Sequence, residues 1–215
     1  MKYVKTILAG IVAGLFIGFG GAANVACSAN GVPWLGAILF SCGLLSVCAF
    51  QAKLFTGKIG FIIHATKDEL IDLPLMLLGN IIGAVACGYL LFLAVPQSML
   101  DVATSIATKR AAEAFYVPLI MSIFCGMLVY LAVFGWKVIE NPVVKTILLT
   151  LCVSVFVICG MQHCIANMFY YSLANSWSGE TVLNVVICTL GNSAGAILLD
   201  LMIGIYKKEE EKKKD

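Results

Sequence analysis

The chain holds few side chains able to handle charge inside an apolar stretch, and His163 is the most pointed of them. It is one of two histidines and lies in Gly160-Met161-Gln162-His163-Cys164-Ile165-Ala166-Asn167, which interrupts an otherwise apolar run and places Asn167 one helical turn further on. Imidazole changes charge near neutral pH and can there accept, hold or donate a proton. Ionisable groups at membrane depth mark solute or proton paths, although a histidine can also be a plain packing residue. A second interruption, Gln51-Ala52-Lys53-Leu54-Phe55-Thr56-Gly57, sets Lys53 in another apolar run, either as a cation on an anion's path or as partner to a buried acid or carbonyl. Asp200 reads as an interfacial or helix-contact residue, and His64 as an exposed residue beside a loop. No metal-ligand cluster, carboxylate pair or nucleophile–base pattern is present, so neither an enzyme nor a cofactor is expected. The nine cysteines form no CxxC and read as small apolar packing residues.

The elements that must position these residues are membrane helices. The 215 residues are 61% apolar and 12% charged, with a mean hydropathy of +0.99, against roughly 45–50% and 25% in soluble domains. A span takes about 20 apolar residues. Six fit, near 5–28, 34–64, 72–95, 117–136, 143–174 and 182–206. The first reads as a retained span, with Gly10, Gly14 and Gly18 as a close-packing face. Lys2, Lys5, Lys67, Lys137 and the lysines of the charged tail 207–215 lie on one side, with only Lys109 and Arg110 opposite. That bias puts both termini in the cytoplasm of a multi-pass protein of the cell membrane. The partners expected are the lipid bilayer and a small solute; no nucleic acid is expected.

The chain repeats itself. Gly79-Asn80-Ile81-Ile82-Gly83-Ala84 matches Gly191-Asn192-Ser193-Ala194-Gly195-Ala196, an offset of 192 − 80 = 112, which also carries Gly14 onto Gly126 and Phe55 onto Asn167. One transmembrane domain, 1–206, thus divides into halves of about 1–95 and 113–206. Each half holds three spans, so the second copy runs inverted. Inverted repeats with a broken helix in each half place a transport site near the midplane. Backbone can be irregular there only where protein or water covers it, and half-helix starts aimed into such a cavity attract anions.

The residues at the breaks resemble those of the formate/nitrite transporter family. Leu54-Phe55-Thr56-Gly57 is similar to its LFTG loop, and His163-Cys164-Ile165-Ala166-Asn167-Met168-Phe169 to its HxxANMF segment. Asn80 and Asn192 stand in its two GNxxG positions, and Cys125–Ala132 is similar to its CNxLVxLA span. The four occur in order over essentially the whole chain. The resemblance implies an all-α, aquaporin-like protomer of six spans, with the second and fifth broken, assembled as a homopentamer. It implies a central His163 facing Thr56, with apolar constrictions at Leu54, Phe55 and Val129 on one side and Leu44 and Phe156 on the other. It also implies a lysine in the third loop, a place taken here by Lys109 or Arg110. Three positions depart from the pattern. Lys53 and Gln162 replace acids, which implies a site of added positive charge, and Gly126 replaces an asparagine.

These readings converge on transport of a small monovalent weak-acid anion, formate first, with nitrite or hydrosulfide close behind. A bare anion crosses an apolar constriction only at a cost of many kcal/mol. A proton or hydrogen bond from His163 lowers that cost. The rival reading is a neutral-solute channel on the same fold, but the chain lacks paired NPA motifs.

Overall fold

The computed structural model describes residues 2–212, so the last residues of the tail expected at 207–215 lie outside it. Among the described residues the chain is helical, without strands. Helices α1 (Lys2–Ala29), α5 (Lys67–Phe92), α7 (Tyr116–Val138) and α10 (Gly179–Lys212) are each long and apolar enough to cross a membrane. Between them run shorter pieces. Helices α2 (Pro33–Leu39), α3 (Ser41–Ala49) and α4 (Phe55–Lys58) lead into a 3-10 helix, Ile59–His64. Helix α6 (Gln97–Ala111) bridges α5 and α7, and α8 (Pro142–Ile158) is followed by α9 (Cys164–Leu173).

Local chemistry sets several of these ends. Thr66 and Glu69 form a reciprocal capping box that starts α5. Asn141 accepts from the N–H groups of Val143 and Val144 and Pro142 occupies the first turn, which starts α8. The third loop of the sequence reading is in fact mostly helix, α6, whose last turn carries Lys109 and Arg110. The second stretch is divided once more, at Phe40.

Both breaks are built alike. After α3, the Gln51 N–H reaches the Cys48 carbonyl and the Ala52 N–H the Val47 carbonyl, with Gln51 left-handed at φ 54°. After α8, the Gly160 N–H reaches Val157 and the Met161 N–H reaches Phe156, with Gly160 at φ 68°. Each is a Schellman ending, which stops a helix by satisfying its last carbonyls locally. Two non-helical residues follow, the second of them extended, and then α4 or α9 begins. The breaks therefore correspond at an offset of 164 − 55 = 109, so the counterpart of Phe55 is Cys164, not Asn167. The 112 offset holds only for the long helices.

Helix α1 packs along α5, and α7 along α10, through glycine faces. A Cβ on Gly14 would meet the backbone carbonyl of Asn80, and one on Gly126 that of Asn192. Gly126→Leu should therefore cost roughly 1–3 kcal/mol by overpacking, read as a lower thermal midpoint in detergent. Gly204→Ala, with open space around the new methyl, should leave the midpoint unchanged or raise it slightly.

Candidate functional site

The two breaks meet at one contact. Thr56 Oγ1 lies 2.7 Å from His163 Nε2, and both side chains are buried. Each belongs to the first turn of its half-helix or its cap, so the N-terminal ends of α4 and α9 converge there. Two asparagines hold them in place. Asn80 Oδ1 accepts from the Phe55 N–H at 2.8 Å while its amide donates to the carbonyls of Gly10 and Lys53. Asn192 repeats the pattern: its Oδ1 accepts from the Cys164 N–H at 2.9 Å and its amide donates to Ser122 and Gln162. Each amide thereby ties together a long helix, an extended linker and a half-helix start.

The tautomer of His163 follows from its cap. Nδ1 accepts from the Ala166 N–H at 3.3 Å, so the hydrogen of the neutral ring sits on Nε2 and donates to Thr56 Oγ1. The Thr56 hydroxyl hydrogen is then left to donate elsewhere. Phe156 stacks on the imidazole, ring centroids 6.1 Å apart, and Phe40 packs edge-on against Phe156.

One cavity opens toward each break. The larger, about 720 Å³, reaches Leu54 and Gly57 and is lined also by Lys53, Lys58, His64, Phe61, Glu69, Asp72 and Lys137. The smaller, about 190 Å³, reaches His163 and Ala166, with Phe40, Phe156, Lys109, Arg110, Glu113 and Tyr170 on its wall. Leu54 thus borders one cavity and Phe156 the other. Leu44 and Val129 line neither and are buried in the apolar cluster that also holds Leu54 and Phe156. Phe55 packs instead with Ile59, Leu73, Tyr130 and Ala196.

The basic candidates separate clearly. Arg110 donates to Asn167 Oδ1 and lies 5.1 Å above the centre of the Tyr170 ring, whereas Lys109 is exposed at the cavity wall. Of the two, Arg110 is the one bonded to a residue of α9. Lys53 is not an unpaired cation: its Nζ lies 2.7 Å from Asp72 Oδ2 and 2.8 Å from Thr6 Oγ1. Nor does Gln162 leave the region short of acid, because its Nε2 donates to Glu113 at 2.5 Å. The added positive charge expected from these two positions is corrected by carboxylates that reach the breaks from other elements.

Gln162 and Asn167 anchor a buried network that the motifs do not reveal. Gln162 Oε1 accepts from the amides of Asn167 and Asn184, and Asn184 Oδ1 accepts from Asn167 and Tyr171. A signal was present. Asp72 and Asn184 correspond at the 112 offset, and Lys53 and Gln162 at 109, so an ion pair in one half stands where an amide pair stands in the other. Asp200, near the far end of α10, is a helix-contact residue: Tyr130 donates to it at 2.7 Å, and the exposed His64 lies 3.2 Å away.

A model of the formate/nitrite transporter family matches residues 1–207. The chain belongs to the formate/nitrite transporter family. It is 30% identical over 184 residues to the nitrite transporter NirC of Escherichia coli, covering 75% of this chain and 67% of that one. It is 28% identical over 198 residues to a transporter of Bacillus subtilis, YrhG, covering 83% and 74%. Its fold matches a pentameric formate channel with formate bound at a TM-score of 0.79, covering 98% of both chains at 22% identity. As a member of the formate/nitrite transporter family, the chain is a multi-pass membrane protein whose homologues are anion channels and transporters, not enzymes.

The Lys53–Asp72 pair is testable on its own. Asp72 is 8% exposed, and Lys53→Met leaves that carboxylate uncompensated at a cost of about 3–5 kcal/mol. The double variant Lys53→Met/Asp72→Leu should recover most of the lost thermal stability. A double variant as unstable as the single one would show that the two side chains do not act as a pair.

Proposed function

We propose that the chain is a channel or transporter for small monovalent weak-acid anions, with formate the first choice and nitrite or hydrosulfide next. The observation that carries this reading is the Thr56–His163 contact, where two half-helix starts converge beside a cavity walled by Arg110. Helix starts present partial positive charge and free N–H groups. They stabilise an anion without a full cation on its path.

The mechanism follows from the donors. An anion drawn into a cavity gives up water at an apolar ring, where a bare charge is costly. His163 Nε2–H polarises the Thr56 hydroxyl, which donates to the anion. A weak-acid anion that also takes up a proton from the aqueous phase of the cavity, while His163 and Thr56 stay neutral hydrogen-bond donors, passes as the neutral acid. Asn167 and Asn192 act by holding α9 and its cap. Leu54, Phe55 and Val129 on one side, with Leu44 and Phe156 on the other, are the proposed apolar constrictions.

The architecture proposed is one domain, 1–206, of six spans in two inverted halves, about 1–95 and 113–206, with both termini cytoplasmic. The duplicated asparagine clamps and Schellman endings support the repeat. The basic bias of the N-terminal side supports the orientation. The homopentamer rests on the likeness to the pentameric formate channel.

Uptake of labelled formate, nitrite and hydrosulfide into proteoliposomes at two pH values tests the reading. Flux should rise as pH falls. His163→Phe or Thr56→Val should cut it roughly tenfold or more, since a hydrogen bond to a charged group contributes about 1.5–3 kcal/mol. Osmotic swelling with uncharged solutes, without anion flux, would instead establish the neutral-solute channel.

A further inference from the structure

Glu113 lies in the four-residue connection between α6 and α7 and, among the described residues, is the one acid on the wall of the smaller cavity. The same wall carries Lys109, Arg110 and His163. With the imidazole neutral, the cavity holds two positive charges and one negative.

Glu113 and Arg110 are kept from cancelling each other directly. Gln162 is fully buried, and its Oε1 is claimed by the amides of Asn167 and Asn184 at 2.9 and 3.0 Å. That orientation aims its Nε2 at the Glu113 carboxylate. Asn167, bonded to Gln162, presents its own Oδ1 to Arg110. A chain of two amides thus holds one charge at each end, and no ion pair between Arg110 and Glu113 occurs among the described residues. Both residues remain on the cavity wall.

We propose that Glu113 is a specificity-determining residue: by offsetting one of two cationic charges, it tunes the cavity to anions of single charge and keeps their binding weak enough for release. The inference rests on the anion pathway proposed above. A net charge of +1 is neutralised by one monovalent anion. Without the carboxylate the cavity is doubly positive, a match for a dianion and a trap for a monoanion. Conduction needs a site that binds well enough to fill but weakly enough to empty.

The test compares wild type, Glu113→Gln, and the exchange Glu113→Gln/Gln162→Glu in proteoliposomes, after each has been shown to purify as the same oligomer. Glu113→Gln keeps an acceptor for Gln162 Nε2 and removes only the charge. The exchange returns a carboxylate to the other end of the same hydrogen bond. For formate, Glu113→Gln should lower KM roughly three- to tenfold, as expected for one charge at this range in a partly wet cavity, and lower the maximal rate. Oxalate, a small dianion, should inhibit Glu113→Gln competitively and wild type weakly. The exchange should restore wild-type behaviour on both counts. Wild-type KM and oxalate insensitivity in Glu113→Gln would overturn the proposal, as would an exchange variant that keeps the Glu113→Gln behaviour. Absence of any anion flux in wild type would overturn the pathway itself, and this inference with it.

Discussion

A helix that begins inside an apolar slab exposes about four backbone N–H groups with no carbonyl to receive them, and the site depends on how two such beginnings are tolerated. Asn80 and Asn192 supply the answer twice over. Each is fully buried and makes three hydrogen bonds, taking the first N–H of a half-helix and donating to two carbonyls, one on a long helix and one on the linker. Because one amide grips three elements, the half-helix start cannot shift without breaking bonds on the long helix beside it. The glycines around these asparagines follow from the same need. Only a helix without a Cβ at Gly14 or Gly126 comes close enough for its carbonyls to be reached.

Charge is handled by a second constraint: Lys53, Asp72, Arg110 and Glu113 each bond to another side chain. In the first half Lys53, Asp72 and Thr6 form a compact ionic cluster beneath α4. In the second half the same positions carry the uncharged Gln162 and Asn184, and the charges move outward to Arg110 and Glu113 on α6 and its connection to α7. The halves therefore share a backbone plan but differ in electrostatics. At one break the charges on the cavity wall pair directly with each other. At the other they are held apart on two amides.

The backbone plan was legible in the sequence because it rests on residues whose types are hard to replace. The GNxxGA pair, the polar interruptions and the LFTG and HxxANMF segments located both breaks and both asparagines. Three things were not legible. The three-residue difference between the offsets is hidden, because one linker is longer where its counterpart is shorter and the two cancel over a half. The choice between Lys109 and Arg110 depends on which face of α6 meets α9, and both residues sit in the same turn. The partners of Lys53 and Gln162 lie 19 and 49 residues away on other elements. Local pattern marks a polar residue in an apolar run but does not say what it meets. An acid absent from one position of a motif is therefore not an acid absent from the site.

A protonatable donor between apolar rings also explains why basicity, rather than size or charge alone, is the property such a site selects on the proposed reading. Anions of strong and weak acids are drawn equally by helix starts and by Arg110, and both lose water at the first apolar side chain. Only the weak-acid anion can then accept a proton and proceed as a neutral molecule, so the desolvation cost that stops one is nearly cancelled for the other. The donor must be uncharged between passages, or it would hold the anion it is meant to release. A histidine whose Nδ1 is occupied by a backbone N–H and whose Nε2–H rests on a threonine hydroxyl meets that condition.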